Sequence, residues 1–579
     1  MLRFLPAALV VAAACDRSPS PTPTPSPAPA VAPAATSANV ARSLRIDPPA
    51  VHGTSPNLIA TSSGVLLTWL EPTDASGIAH RLRLSKLADG AWTAPTTITE
   101  GPGIVANWAD IPSVAALADG TLVAHWADKA KSPIAHAYDV VLARSRDGGA
   151  TWERLGTPHR DGTAAEHGFV SLVPDGDAML AVWLDGRASA NGGSGPTMLR
   201  AARIGATIGP EEVIEDRVCD CCSTAATLTA DGPIVVYRDR DDGELRDPWI
   251  VRRTAGTWSP PSAVHRDGWQ IAGCPVNGPT VVAHGREVVV AWYTYADQRA
   301  AVRVAFSSDG GATFADPIEV DGTAGARAPI GRVDVVLDRS GEAIVSWTAS
   351  ERDEGQLLVR RIARDGKRGP ELAIGSIAAA REAGFPRMEA VGDDVVLAWS
   401  DSRARTVRAV RLPRREVPAV ASDAPARTTP PVLARLSIGS PAPDYAAKVL
   451  DGTTTSLAAQ RGHPLLVNVW ATWCEPCRHE LPVLAAVQQR TLERGLRVVA
   501  LSVDREAPPD KVASVAGRFA PGLAIWHDPD DRASTLLGVS MVPTTLLFDA
   551  NGVLRWRRDG VVVDGDQDLA AAIASVLAK

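Results

Sequence analysis

Between residues 44 and 414 the sequence repeats itself. Seven β-rich stretches each end in an aromatic residue, at Trp69, Trp126, Trp183, Tyr237, Trp292, Trp347 and Trp399. Successive markers are 57, 57, 54, 55, 55 and 52 residues apart. A period of this size, with several short strands in each unit, predicts an all-β propeller. Seven units predict seven blades, with six as the alternative.

Each unit carries the same parts. A first strand, such as Ser113–Leu117 or Thr280–Ala283, leads through a turn to the strand that ends at the aromatic marker. A variable loop and a third strand follow. After two of the third strands come Ser145-Arg146-Asp147-Gly148-Gly149-Ala150-Thr151-Trp152 and Ser307-Ser308-Asp309-Gly310-Gly311-Ala312-Thr313-Phe314. In such a turn the Asp caps the hairpin and glycine supplies positive φ. These octapeptides resemble the Asp-box of sialidase-like (BNR-repeat) propellers, with degenerate copies at Asp89–Trp92 and Ala255–Trp258. The seventh unit is short after Thr406–Leu412, and Ser43–Asp47 could supply its outer strand and close the ring. The resemblance implies the scaffold and not the sialidase active site. No Arg-Ile-Pro element is present, the nearest text being Asp110-Ile111-Pro112, and only five tyrosines occur. A sialidase-type glycoside hydrolase is therefore the least favoured function.

A Pro/Ala-rich linker at 415–433 ends the propeller region at 43–414, and 434–579 suits one α/β domain. There Pro464–Trp470 reads as a buried strand, and Cys474-Glu475-Pro476-Cys477 opens a helix. Two cysteines at this spacing, on the first turn of a helix after a strand, suit dithiol–disulfide chemistry. The helix N-terminus lowers the pKa of the first thiol. Cys474 is then expected to be an exposed, attacking thiolate, and Cys477 to resolve the mixed disulfide. A structural disulfide or half a metal site are the competing readings of the same pair.

Residues 436–579 resemble the TlpA/ResA-type membrane-tethered thioredoxin-like proteins. Gly439-Ser440-Pro441-Ala442-Pro443-Asp444, the Cys474–Cys477 motif and Gly538–Thr545 carry the likeness. It implies a thioredoxin fold and a thiol–disulfide oxidoreductase that favours reduction of protein disulfides. It also implies electrons from a membrane relay protein and no cofactor for this domain. It places a cis bond between Val542 and Pro543 beside the dithiol, and Asn468 where thioredoxin has a buried aspartate. Glu480 would take or give the proton of Cys477, while Trp473 would be a packing and lid residue.

The N-terminus reads as an address. Met1-Leu2-Arg3 is a minimal positive region, Phe4–Ala14 is apolar, and Ala12-Ala13-Ala14-Cys15 resembles a bacterial lipoprotein signal (1–15). Lipidation at Cys15 is expected, with an ordinary signal peptide cut after Ala14 as the rival. The Pro/Ser/Thr-rich stretch 16–42 then serves as a tether. Together these predict a lipoprotein on the periplasmic side of a bacterial envelope. A net charge of −7 argues against a nucleic-acid partner.

A second cysteine group lies in the propeller. Cys219, Cys221 and Cys222 precede the first strand of blade four, and Cys274 precedes that of blade five. Loops leading into innermost strands share one face, so the four thiols should meet at the mouth of the channel. His52, Asp110, His167 and Arg327 lie in equivalent loops, and His80, His136 and Tyr295 lie in loops on the same face. Three outcomes stay open. The cysteines could form two disulfides. With His167 they could form a copper(I) or zinc site. They could also be a redox substrate of the C-terminal domain. The charged run Arg238–Glu244 reads as a solvated or salt-bridged loop. The rival function is a binding protein, whose propeller recognises a protein, glycan or metal.

Overall fold

The computed structural model describes residues 44–420 and 436–578, apart from 62–63, 75–76, 130–136, 193–194, 322–327, 352–353, 380–382, 505–506, 531 and 540. The expectations for Cys15, the tether, His136 and Arg327 fall outside the described residues.

Residues 44–413 form seven antiparallel sheets of four or five strands, the blades of a propeller. Their innermost strands begin at Thr54, Ser113, His167, Ala225, Thr280, Ala328 and Arg387. Each touches the next around the ring, and Arg387–Val391 returns to Thr54–Thr61. The second strand of each blade is covered on both faces by neighbouring blades, so it reads as an unbroken apolar run and not as an alternation. Ala178–Asp185, for example, is buried along its whole length. All seven aromatic markers are buried here, the most exposed being Trp399 at 6%. Two of the buried indole N–H groups find carboxylates: Trp183 donates to Asp185 at 2.9 Å and Trp292 to Asp267 at 2.7 Å.

The ring is closed by the N-terminal strand. Leu44 and Arg45 pair with Arg411 and Val410 as the outer strand of blade seven. Asp47 Oδ1 then accepts the Ala409 N–H at 2.9 Å. In both full Asp-boxes the aspartate holds the turn. Asp147 Oδ1 accepts the Thr151 N–H, and Asp309 Oδ1 accepts the Thr313 N–H, each at 2.9 Å.

The C-terminal domain has the thioredoxin fold. Its seven-stranded sheet runs Thr454–Ser456, Ala446–Val449, Ala524–His527, Arg497–Ser502, Leu465–Trp470, Thr544–Phe548, Leu554–Asp559. Leu465–Trp470 is central, parallel to Arg497–Ser502 and antiparallel to Thr544–Phe548. The helices are α1 (Glu475–Thr491), α2 (Pro509–Phe519), α3 (Arg532–Leu536) and α4 (Gln567–Leu577). Pro482 lies inside α1 without ending it. Among the described residues no helix is long and apolar enough to cross a membrane.

Propeller and thioredoxin fold share one apolar cluster. It joins Ile111, Phe169, Val276 and Phe385 of the propeller to Trp470, Cys474 and Val542 of the C-terminal domain.

Candidate active site

The central strand delivers the dithiol. Leu465–Trp470 is buried throughout, and the chain turns at Ala471-Thr472-Trp473. Asp504, buried at the end of the neighbouring strand, fixes that turn: it accepts the Thr472 N–H at 2.8 Å and its hydroxyl at 2.7 Å. Cys474 is the N-cap of α1, and its Sγ accepts the Cys477 N–H at 3.2 Å. Cys474 and Cys477 are joined as a disulfide. A sulfur at this position meets the unpaired N–H groups and positive dipole end of the helix, which stabilise it as an anion.

Glu480 follows one turn later and is fully buried. Its Oε2 accepts from Asn468 Nδ2 at 3.0 Å. Its Oε1 accepts from the Thr545 hydroxyl at 3.1 Å and the Val562 N–H at 2.9 Å. Burial pushes its pKa up to about 8 despite those three donors. A surface role for this residue is thereby ruled out. Asn468 is itself fully buried and serves as one of the donors.

Val542 precedes the cis bond to Pro543. Because Val469 pairs with Thr544, the Val542–Pro543 segment runs on antiparallel past Trp470, beside the turn that carries Cys474.

One expectation is corrected. Cys474 is not exposed: both sulfur-bearing residues have 0% accessibility. The cause is the propeller. Its Ala272–Cys274 segment is laid along the redox domain, with the Cys274 N–H donating to Val542 O at 3.1 Å and the Val561 N–H donating to Ala272 O at 2.9 Å. Trp473 meets the propeller's Trp108 edge-on, 6.1 Å between ring centroids. Trp108 in turn stacks on Phe385, and the Arg332 guanidinium lies over both rings.

None of the four propeller cysteines is disulfide-bonded in this structure. The sulfurs of Cys219, Cys221 and Cys222 lie within 4.8 Å of one another, as do those of Cys221 and Cys274 with Asp220. Cys219 Sγ accepts from Arg246 Nη1 at 3.2 Å. Burial pushes the Cys219 thiol up, but hydrogen bonds from Cys221 and Cys222 and the Arg246 charge hold it well below its ordinary value. Arg246 is fully buried and also engages Asp220 at 3.2 Å and Glu244 at 2.8 Å. The charged run itself is a salt-bridged loop: Arg240 pairs with Glu244 at 2.8 Å, and Asp241–Gly243 are exposed. Arg238, like Arg246, is buried, and its Nη2 donates to Asn277 O and Tyr293 O at 2.8 Å, anchoring the segment that follows Cys274.

His167 is also relocated. It joins His159, Asp139 and Asp161 rather than the thiols. It opens the first strand of blade three, opposite Asp185, while the cysteines open blades four and five. A shared face did not mean a shared site. Arg246, Asp504, Trp108 and His159 had carried no sequence signal: each is brought in by a fold contact distant in sequence.

Residues 438–557 match the family model described as AhpC/TSA. The thiol-disulfide oxidoreductase ResA of Geobacillus thermodenitrificans is 32% identical over 120 residues, 21% of this chain and 68% of that protein. The thiol:disulfide interchange protein DsbE of Yersinia pestis is 35% identical over 140 residues, 23% of this chain and 71% of that protein. Among solved structures, a putative thiol:disulfide interchange protein DsbE from Chlorobium tepidum is 27% identical, covering 24% of this chain and 99% of its own, with a TM-score of 0.23.

Proposed function

Since the chain belongs, through its C-terminal domain, to the ResA- and DsbE-type thiol–disulfide oxidoreductases of the AhpC/TSA family, we propose that Cys474 is its attacking thiolate and Cys477 its resolving thiol. The observation that carries this is the Cys474–Cys477 disulfide at the start of α1 with a buried carboxyl group one turn away. In the reductive direction the Cys474 thiolate attacks a sulfur of the substrate disulfide. Cys477 then attacks Cys474, closes the Cys474–Cys477 bond and releases the second substrate thiol. Glu480, whose pKa of about 8 keeps it protonated at neutral pH, exchanges its proton with the Cys477 sulfur. Val542 and Pro543 present backbone to the substrate chain. Trp473 closes the site, and Asn468 holds the carboxyl group.

The reading extends to place and partners. The apolar stretch ending at Cys15 supports export and a lipid anchor on the periplasmic side of the envelope, with 16–42 as the stalk. A membrane thiol–disulfide relay protein would then re-reduce Cys474–Cys477, and the reductive direction rests on the likeness to the tethered proteins. Cys474→Ser is expected to abolish reduction of insulin by the full chain; unchanged turnover would refute the assignment. Cys477→Ala should accumulate a mixed disulfide through Cys474.

A second reading has one observation in its favour. Three sulfurs within 4.8 Å of one another, at Cys219, Cys221 and Cys222, suit copper(I) or zinc. One equivalent of metal lost in Cys219→Ser would support a propeller that binds metal while the redox domain keeps its thiols reduced.

A further inference from the structure

The Ala272–Cys274 segment is held against the redox site as a bound peptide would be. Cys274 and Val542 form an antiparallel bridge. Glycines allow the close approach: a Cβ on Gly273 would lie 3.3 Å from Val542 O, and one on Gly560 would lie 3.3 Å from Ala272 O. Val542 itself lies beside the Cys474 turn by strand register, and Cys274, Cys474 and Cys477 belong to one buried cluster. Behind Cys274 stands Cys221, and behind that Cys219, 3.9 Å from Cys221. Three thiols therefore stand in series from the Cys274–Val542 bridge into the propeller.

Resting on the function proposed above, we propose that the propeller's own Cys221–Cys274 pair is a built-in substrate of the Cys474–Cys477 dithiol. The exchange balances without any further reactant. The Cys474 thiolate attacks Cys274 Sγ of a Cys221–Cys274 disulfide. That bond breaks, a Cys274–Cys474 bond forms, and Cys221 leaves and takes a proton. Cys477 loses its proton and attacks Cys474 Sγ. The mixed disulfide breaks, Cys474–Cys477 forms, and Cys274 leaves and takes the second proton. Two electrons have moved from the redox domain to the propeller; Cys477 has supplied one proton, and the ionisation that made the Cys474 thiolate has released the other. The final state has a Cys474–Cys477 disulfide and no disulfide among the propeller cysteines, as in this structure. The reverse sequence passes electrons outward by the same bonds.

The test uses the full chain with Cys477→Ala, oxidised mildly with glutathione disulfide, then digested without reductant for mass spectrometry. A Cys274–Cys474 peptide pair is expected, and it should vanish in Cys477→Ala with Cys274→Ser. In the double variant Cys474 should still form a mixed disulfide with added insulin. Linkage of Cys474 to insulin but never to Cys274 would overturn the built-in substrate and leave the general function standing. Failure to link to either would overturn both.

A separate observation carries a second site. His159 and His167 stack with centroids 3.8 Å apart and planes 4° apart. Both are buried, and Nε2 of each, together with Asp161 Oδ1, lacks a hydrogen-bond partner. Asp161 Oδ1 lies 3.4 Å from both His159 Nδ1 and His167 Nε2, and Asp139 Oδ1 lies 3.7 and 3.8 Å from the two rings. Arg187 lies 3.4 Å from Asp161 but is engaged by Asp185 at 2.6 Å and Glu211 at 2.7 Å. The ligand atoms of two imidazoles and the Asp139 carboxylate lie within 4.8 Å of one another, a donor set that suits a divalent transition metal. We infer that Asp139, His159 and His167 bind zinc or a similar cation where blades two and three meet. Titration of the full chain with zinc should show one equivalent bound when all four propeller cysteines are serine. That equivalent should be lost in His167→Ala and in His159→Gln. Absence of binding, or binding unchanged in both variants, would overturn the site.

Discussion

Glu480 holds a carboxyl group with no access to water among three hydrogen-bond donors. Burial raises its pKa from 4.5 to about 8, so across that interval the folded protein keeps a proton that the unfolded chain releases. The stability this supplies is complete below pH 4.5 and is lost as pH rises through 8. Glu480→Gln should flatten the fall in stability between those limits, read by urea unfolding at several pH values. It should also remove the step near pH 8 from the rate of insulin reduction; a profile identical to the parent would sever Glu480 from the proton transfer. Arg246 poses the opposite problem, a buried cation balanced by Asp220, Glu244 and Cys219. Arg246→Met leaves Asp220 and Cys219 without that cation, while Glu244 keeps Arg240 at 2.8 Å, and is expected to cost about 3 kcal/mol. The pKa of the Cys219 thiol should rise with it, since the Arg246 charge is one of the causes that lower it, read by ultraviolet titration of the thiolate.

Elements were legible wherever their signal is local. The blade markers repeat because each second strand meets the same two-sided burial, and the Asp-boxes are self-contained turns. Gly311 shows why such a turn admits little else: its φ is +82°, and a Cβ would come 2.9 Å from Ile250 Cδ1. Gly311→Ala should destabilise the propeller by about 1–2 kcal/mol from backbone conformation alone, measured by equilibrium unfolding. The strand–C-x-x-C–helix element was equally readable, since one helix turn fixes its geometry. Positions around the ring were not. Loop type told which face His167 occupies but not which neighbours it meets. The charged run at Arg238–Glu244 read as solvated or salt-bridged, and it is salt-bridged, but composition could not say that the Arg238 guanidinium would be enclosed. Nor could the C-terminal sequence reveal that Cys474 is covered, because the cover is made by residues about 200 positions earlier, at Ala272–Cys274.

At the scale of the whole molecule, that cover creates a choice between internal and external disulfides. With Cys474 inaccessible, a separate protein reaches its sulfur only after Ala272–Cys274 leaves Val542 and Val561 and Trp108 leaves Trp473. The closed arrangement thus favours exchange with Cys274 and disfavours exchange with anything else. An edge-on aromatic pair contributes about 0.5–1.5 kcal/mol beyond its buried area. Removing it should raise the open population about 2- to 10-fold, since 1.4 kcal/mol corresponds to a factor of ten. Trp108→Ala is therefore expected to speed both insulin reduction and alkylation of reduced Cys474 by several-fold. In the Cys477→Ala background it should lower the yield of the Cys274–Cys474 link. The two changes must run in opposite directions if one closing motion governs both. A variant that gains external activity while keeping its internal link would mean that Trp108 screens the site without holding the two domains together.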